Sequence, residues 1–393
     1  MTATEQQLDN HWLAVFIAVL SGIVCALQIG KLPIAAPFLQ NDLGLSRSTI
    51  GNLGAIFPIL GMLAGIPIGT IVLRTGLRRS ISIGLAAIGV SSLLAPLFPY
   101  VEFLYLLRLI EGFGFVFITV SAPTLIQGSV QLAYRNTAMS FWGTFMPIGM
   151  TVMMFIGPFF HDWQSIWYTN AIIAFLAIVL LQIGVPAPHH RPKPLGLEQT
   201  KSLLKNILTA GTPLRIALTF GCYTLMYFAL FNFLPLLLIE ELGLSHSQAG
   251  LISGLATGAN IFGNLAAGYL LSRGLTRSQL ISFSFITMII TGSTIFAFSL
   301  PVLMVAVLCI VFAGIGGIIP TSILSSAPVI SPSPLAIPIT LGLIMQGSNM
   351  GQSFGPLLTG WSTQLFGWTS AALILLVVGS LGLILLLYKR MDV

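Results

Sequence analysis

Charge is what this sequence has least of. Asp, Glu, Lys and Arg make up 7% of its 393 residues, where soluble proteins carry roughly a quarter. A water-facing surface cannot be built from so few charges, which excludes a soluble enzyme, a nucleic-acid binder and a disordered chain. The net charge of +6 therefore has no reading until the charges are located relative to a membrane. Cysteine is scarce as well. Cys25, Cys222 and Cys309 each fall inside an apolar stretch, which implies no disulfide framework and suits small buried hydrophobes. A Gly-x-x-x-x-Gly-Lys-[Ser/Thr] phosphate loop is missing, as is any Cys/His cluster with metal-ligand spacing. The adjacent His189 and His190 are a weak metal signal. No Gly-x-Ser-x-Gly nucleophile is set in a strand–helix turn. The expectation is no metal, no cofactor, no catalytic residue and no enzyme.

Apolar length is what the chain has instead. Hydrophobic residues make up 56% and the mean hydropathy is +0.98. Twelve apolar stretches run approximately over 12–39, 49–72, 80–98, 103–126, 137–159, 166–185, 214–238, 248–271, 279–299, 302–324, 337–359 and 368–388. Each is long enough for a bilayer core, which needs about 20 residues of helix. Barrel strands alternate apolar and polar residues over about ten positions; these stretches are longer and apolar all round. The first is not a cleavable signal, since Glu5 and Asp9 precede it and no Lys or Arg does. The expected fold is an all-α polytopic membrane protein with twelve transmembrane helices. The one long interruption, 186–213, opens with the basic, proline-containing Pro186–Pro194 and reads as a linker between halves 1–185 and 214–393. After it, Leu195 to Leu208 mixes leucine with Lys201 and Lys205, as a short surface helix or a solvated loop.

The positive charges set an orientation. With the N-terminus inside, inner segments hold thirteen of the sixteen Lys and Arg residues: Arg74, Arg78, Arg79, Arg135, Arg191, Lys193, Lys201, Lys205, Arg215, Arg273, Arg277, Lys389 and Arg390. Only Arg47 falls in an outer loop, and Lys31 and Arg108 fall within spans. The positive-inside rule then expects both termini in the cytoplasm of a bacterial-type inner membrane.

The chain also repeats itself. Asp42-Leu-Gly-Leu-Ser-Arg-Ser-Thr-Ile-Gly51 recurs as Glu241-Leu-Gly-Leu-Ser-His-Ser-Gln-Ala-Gly250, identical at six of ten positions at an offset of 199. The same offset takes Gly69 to Gly268 and Arg74 to Arg273. Such a repeat fits two parallel six-helix bundles related by an axis along the membrane normal.

These residues carry a resemblance to the major facilitator superfamily over nearly the whole chain. The loop Gly69-Thr-Ile-Val-Leu73-Arg74-Thr-Gly76-Leu-Arg78-Arg79 resembles the family's first cytoplasmic loop, with Leu73 where the family has Asp. Arg108-Leu-Ile-Glu111-Gly112 resembles its Arg-x-x-x-Gly pattern, and Gln346-Gly-Ser-Asn349-Met-Gly351 resembles its eleventh span. Gly30-Lys31-Leu-Pro33 and Trp142-Gly-Thr-Phe-Met-Pro147 are similar to cyanate-porter-like bacterial permeases. The resemblance implies a central cavity lined by spans 1, 4, 7 and 10. It also implies a gating loop, Gly69, Arg74, Gly76, Arg78 and Arg79, that latches the halves when the cavity faces outward. Leu73 removes one charged partner of that latch; anchoring of topology is the other role open to those arginines. The family's antiporter signature is not matched, because Phe159-Phe160 follow Gly157-Pro158.

Intramembrane charge is costly and marks function by default. Lys31 either lines the cavity as an anion-attracting cation or snorkels to the outer surface. Arg108 and Glu111 share a face of span 4. Arg108 suits a substrate carboxylate, and Glu111, the only carboxylate well inside a span, suits proton coupling; a structural Arg–Glu pair is the alternative. Tyr223 and Tyr227, one turn apart, suit a solute pocket or an interface belt. Gln346 and Asn349 share a face of span 11, as Asn260 and Asn264 do in span 8. Both pairs suit the cavity or hydrogen bonds between helices. The first functional expectation is a monomeric secondary transporter of a small organic anion, working by rocker-switch alternating access with protons as coupling ion and lipid as its surroundings. The second is an exporter of drugs, siderophores or hydrophobic metabolites. A non-transporting membrane sensor is a remote third.

Overall fold

The computed structural model describes residues 11–45, 47–156, 159–186 and 197–388. Most of the basic linker, with His189 and His190, the Gly157-Pro158 pair and the tail after Tyr388 lie outside the described residues. Everything regular within them is helical. In the first half the helices are α1 (Trp12–Leu43), α2 (Arg47–Thr75), α3 (Leu77–Leu94), α4 (Val101–Gly128), α5 (Arg135–Gly143), α6 (Phe145–Ile156) and α7 (Trp163–Gly184). After α8 (Leu197–Ala210) come α9 (Thr212–Phe231), α10 (Leu234–Glu240), α11 (His246–Ser272), α12 (Arg277–Ala297), α13 (Val302–Gly316), α14 (Ile318–Leu324), α15 (Ala327–Ile330), α16 (Ile337–Phe366) and α17 (Thr369–Leu387).

Eight of these segments are long and apolar enough to cross a bilayer, and α2, bent by 70° between Leu63 and Pro67, makes a ninth. The other expected spans are the broken pair α5–α6 and the more polar rods α11 and α16. Each break sits next to a proline, which lacks the N–H that would close a turn. Pro147 follows the α5–α6 break at Thr144, Pro235 follows the α9–α10 break, and Pro320 follows the α13–α14 break at Gly317.

The internal repeat has a structural cause. In both copies Leu-Gly-Leu ends one helix ahead of the next. Gly44 and Gly243 sit at φ +63° and +66°, a region costly for residues with a side chain. Leu45 N–H donates to the Leu39 carbonyl and Leu244 N–H to that of Leu238, the same six-residue closure 199 positions apart. In the second copy Ser245 then caps α11 through a reciprocal box with Gln248.

Within the first half, α1 packs on α4, α6 and α7, and α3 packs on α4 and α7. Within the second, α9 packs on α16 and α17, α11 on α13, and α12 on α17. Two seams join the halves: α2 against α16, and α5 against α11. Both depend on glycine at related positions. A Cβ on Gly69 would lie 2.9 Å from the Ile339 Cα, and one on Gly268 would collide with the Ser140 side chain.

Candidate transport site

Three charged side chains meet inside the first half. Lys31 Nζ lies 2.6 Å from one carboxylate oxygen of Glu111, and Arg108 Nη1 lies 2.7 Å from the other. Lys31 and Glu111 are fully buried and Arg108 is 4% exposed. The surrounding helices complete the hydrogen bonds. Lys31 also donates to Gln28 Oε1 at 2.6 Å and to Ser92 Oγ at 3.0 Å, so all three ammonium protons have acceptors. Gln28 donates onward to Asn170 of α7. Arg108 donates to the Gln28 and Leu53 carbonyls. Trp167 lies under the Lys31 ammonium at 4.6 Å and Phe57 under the Arg108 guanidinium at 4.8 Å. Two cations share one carboxylate, and the network draws its partners from α1, α2, α3, α4 and α7.

Lys31 therefore neither snorkels nor lines an open cavity, because helices of its own half enclose it. Beside the triad is room of about 10 Å³ for water centres, bounded by Leu32, Leu104, Leu107, Arg108, Glu111 and Trp167. That is one water at most.

A larger space lies between the halves. It offers about 60 Å³ to water centres and is walled by Phe145, Met146 and Met150 of α6, Phe220, Tyr223 and Tyr227 of α9, and Met345, Ser348 and Gln352 of α16, among others. Tyr223 and Tyr227 thus line a cavity, with ring centroids 6.0 Å apart. Its walls are almost entirely apolar in exposed area, and no charged residue is among the described ones that line it. Two polar groupings reach it: Asn260 donates to the Tyr223 hydroxyl at 3.2 Å, Asn264 donates to Asn260 at 2.9 Å, and Thr321 donates to Asn264 at 2.9 Å, while Gln352 donates to Ser348 at 3.2 Å. Asn260 faces the cavity and also ties α11 to α13 through the Ala313 carbonyl.

Gln346 and Asn349 are brought together elsewhere. Both lie in the α2–α16 seam, where Gln346 donates to the Met62 carbonyl at 2.9 Å. That carbonyl lies just before the bend of α2. Asn349 is buried against Gly61, and its Oδ1 has no partner among the described residues. Their neighbours in sequence, Met345, Ser348 and Gln352, face the cavity instead. In the loop, Gly76 has φ +82° and starts α3. Arg78 donates to the Gln182 carbonyl and side chain at 2.6 Å, within its own half. Arg74 and Arg79 are exposed, and neither forms an ion pair among the described residues.

Sequence reasoning missed Gln28, Ser92, Asn170 and Trp167 around the triad. Gln28 is three residues before Lys31, and Asn170 is a polar residue deep in a span, so both carried a signal. It also missed the methionine and phenylalanine walls, which nothing distinguishes from lipid-facing positions until the helix rotations are known.

The Major Facilitator Superfamily family model matches residues 12–336 and 216–392. The chain belongs to the Major Facilitator Superfamily. It is 27% identical over 304 residues to the 3-(3-hydroxy-phenyl)propionate transporter of Escherichia coli, covering 73% of this chain and 72% of that protein. It is 24% identical over 202 residues to multidrug resistance protein 1 of Bacillus subtilis, covering 51% of this chain and 52% of that one. An uncharacterized transporter of Rickettsia bellii is 23% identical over 269 residues, which span 67% of this chain and 65% of the relative. Among solved structures, the proton:xylose symporter XylE superposes with a TM-score of 0.78 at 16% identity, over 97% of this chain and 96% of that one. A human organic anion transporter superposes at 0.77 and 14% identity, over 95% and 100%. These likenesses establish the two-bundle fold of this facilitator chain. Its relatives do not single out the cyanate-porter-like group.

Proposed function

We propose that this multi-pass facilitator moves a small, mainly apolar organic molecule carrying one or two hydrogen-bonding groups. The substrate occupies the cavity between the halves, and Glu111 couples the cycle to protons. One observation carries the reading. The described walls of the inter-bundle cavity are mainly Phe, Met and Tyr, with a few neutral polar groups and no charged residue among the described ones, while both candidate anion-binding cations, Lys31 and Arg108, are held by Glu111. An organic anion entering such walls loses its hydration without gaining a counter-charge, whereas an apolar molecule gains burial and can bond the Tyr223 hydroxyl. Arg108 and Lys31 then serve to hold a carboxylate at membrane depth, and Glu111 is the group whose protonation the cycle uses. Both termini lie in the cytoplasm, so the arginine-rich end of the bundle faces inward. The domain limits remain 1–185 and 214–393, with 186–213 joining them.

The test is binding to the purified protein, followed by thermal stabilisation across a panel of neutral aromatic amphiphiles, lipophilic cations and small carboxylates. Neutral amphiphiles stabilise the wild type, and Met150→Trp, which fills the cavity, abolishes the effect. Stabilisation by carboxylates alone, lost in Arg108→Gln and kept in Met150→Trp, moves the substrate to the triad and overturns the reading.

A further inference from the structure

Leu73 stands where the resemblance places an acidic latch residue, and its surroundings differ in kind from a latch made of charges. It packs in one apolar cluster with Ala217, Ala336, Ile339 and Leu343 of the second half and with Leu203, Leu204 and Ile207 of α8. Ile207 is 1% exposed and Ile339 is fully buried. The helix α8 belongs to the segment joining the halves; it packs on α9 of the second half, and its Leu203, Leu204 and Ile207 share this one cluster with Leu73 of the first. Immediately inward, Gly69 lets α2 approach the α16 backbone at Pro338 and Ile339. The opposite side of α8 shows Lys201, Lys205 and Asn206 to solvent, so its apolar face is the one committed to the cluster.

We infer that the inner gate of this protein is held shut by an apolar clamp, in which Ile207 and its neighbours on α8 press Leu73 of the first half against Ile339 and Leu343 of the second. Opening toward the cytoplasm requires α2 and α16 to part, and that exposes these side chains to water. The joining segment is thereby a positioning element for the transport cycle as well as a tether. A latch of ion pairs weakens in salt, whereas burial of apolar area does not. The inference rests on the transporter reading and on the inward placement of the basic end, but on no choice of substrate.

The test uses the full chain with a reporter, Ser348→Cys, in the buried cavity wall. Inside-out membrane vesicles are treated with a membrane-impermeant maleimide, and the chain without the reporter supplies the blank. Labelling is slow when the clamp is intact and does not change between low and molar salt. Ile207→Asp and Leu73→Ser each raise the rate about tenfold or more, as expected for freeing one buried aliphatic side chain. The double variant labels no faster than the faster single, and Leu73→Met labels like the parent. Melting temperature confirms folding, and Leu204→Ser replaces Ile207→Asp should that variant not fold. An unchanged rate in a folded variant overturns the clamp, and so does a rise of the parent's rate in molar salt. Both outcomes are independent of which solute is carried.

Discussion

Lys31 of α1 and Glu111 of α4 are eighty residues apart in sequence and 2.6 Å apart in the bilayer interior. A buried pair of this kind gains attraction in a low dielectric and loses hydration, so its partners are strongly interdependent. Arg108 on the second oxygen leaves the triad with one cation in excess. Removing the carboxylate strands two cations, while removing Lys31 leaves a neutral Arg–Glu pair. Glu111→Gln is therefore expected to lower stability by about 3–5 kcal/mol and Lys31→Met by distinctly less. Thermal unfolding in detergent checks the order; equal losses contradict it.

In the cavity, Tyr223 is one of the polar side chains on the wall, and Asn260 orients its hydroxyl. Tyr223→Phe removes one hydrogen bond, worth about 1 kcal/mol. The KM for the carried solute is expected to rise about fivefold with little change in maximal rate. A fall in rate at constant KM would assign Tyr223 to the conformational step.

Glycines separate into those that close seams and those that do not. A Cβ at Gly65 would run into the Gly342 carbonyl and Gln346, and one at Gly143 would run into Asn264 and Thr321. Gly65→Ala and Gly143→Ala are expected to force the halves apart and cost about 1–3 kcal/mol each as overpacked sites. Gly254→Ala and Gly258→Ala meet nothing within 4 Å among the described residues and are expected to be neutral or slightly stabilising through helix propensity. Melting temperatures of the four variants check this.

Membrane physics explains which parts of this were legible in the sequence. The apolar runs and the repeat are one-dimensional signals, because a bilayer demands a fixed helix length and two related halves leave an offset. The family follows from the same residues. Pro147 and Pro320 mark kinks in the sequence, and the structure places the breaks at Thr144 and Gly317. Helix rotation is what the sequence conceals. Lys31 and Glu111 were each singled out, yet their contact depends on how α1 and α4 face one another. Gln346 and Asn349 have the composition of a binding site and lie in a seam, whereas Met150 has the composition of a lipid contact and lies in the cavity wall. Leu73 was legible as an absent charge, and only the placement of α8 gives it a positive role.

The most direct test of the account is proton movement in proteoliposomes containing a pH dye, driven by the solute that the binding panel identifies. The wild type is expected to move protons with the solute. Glu111→Gln is expected to retain solute exchange between the two sides while proton movement ceases. Undiminished proton movement in Glu111→Gln, with exchange intact, would contradict the assignment of coupling to the Lys31–Glu111–Arg108 triad.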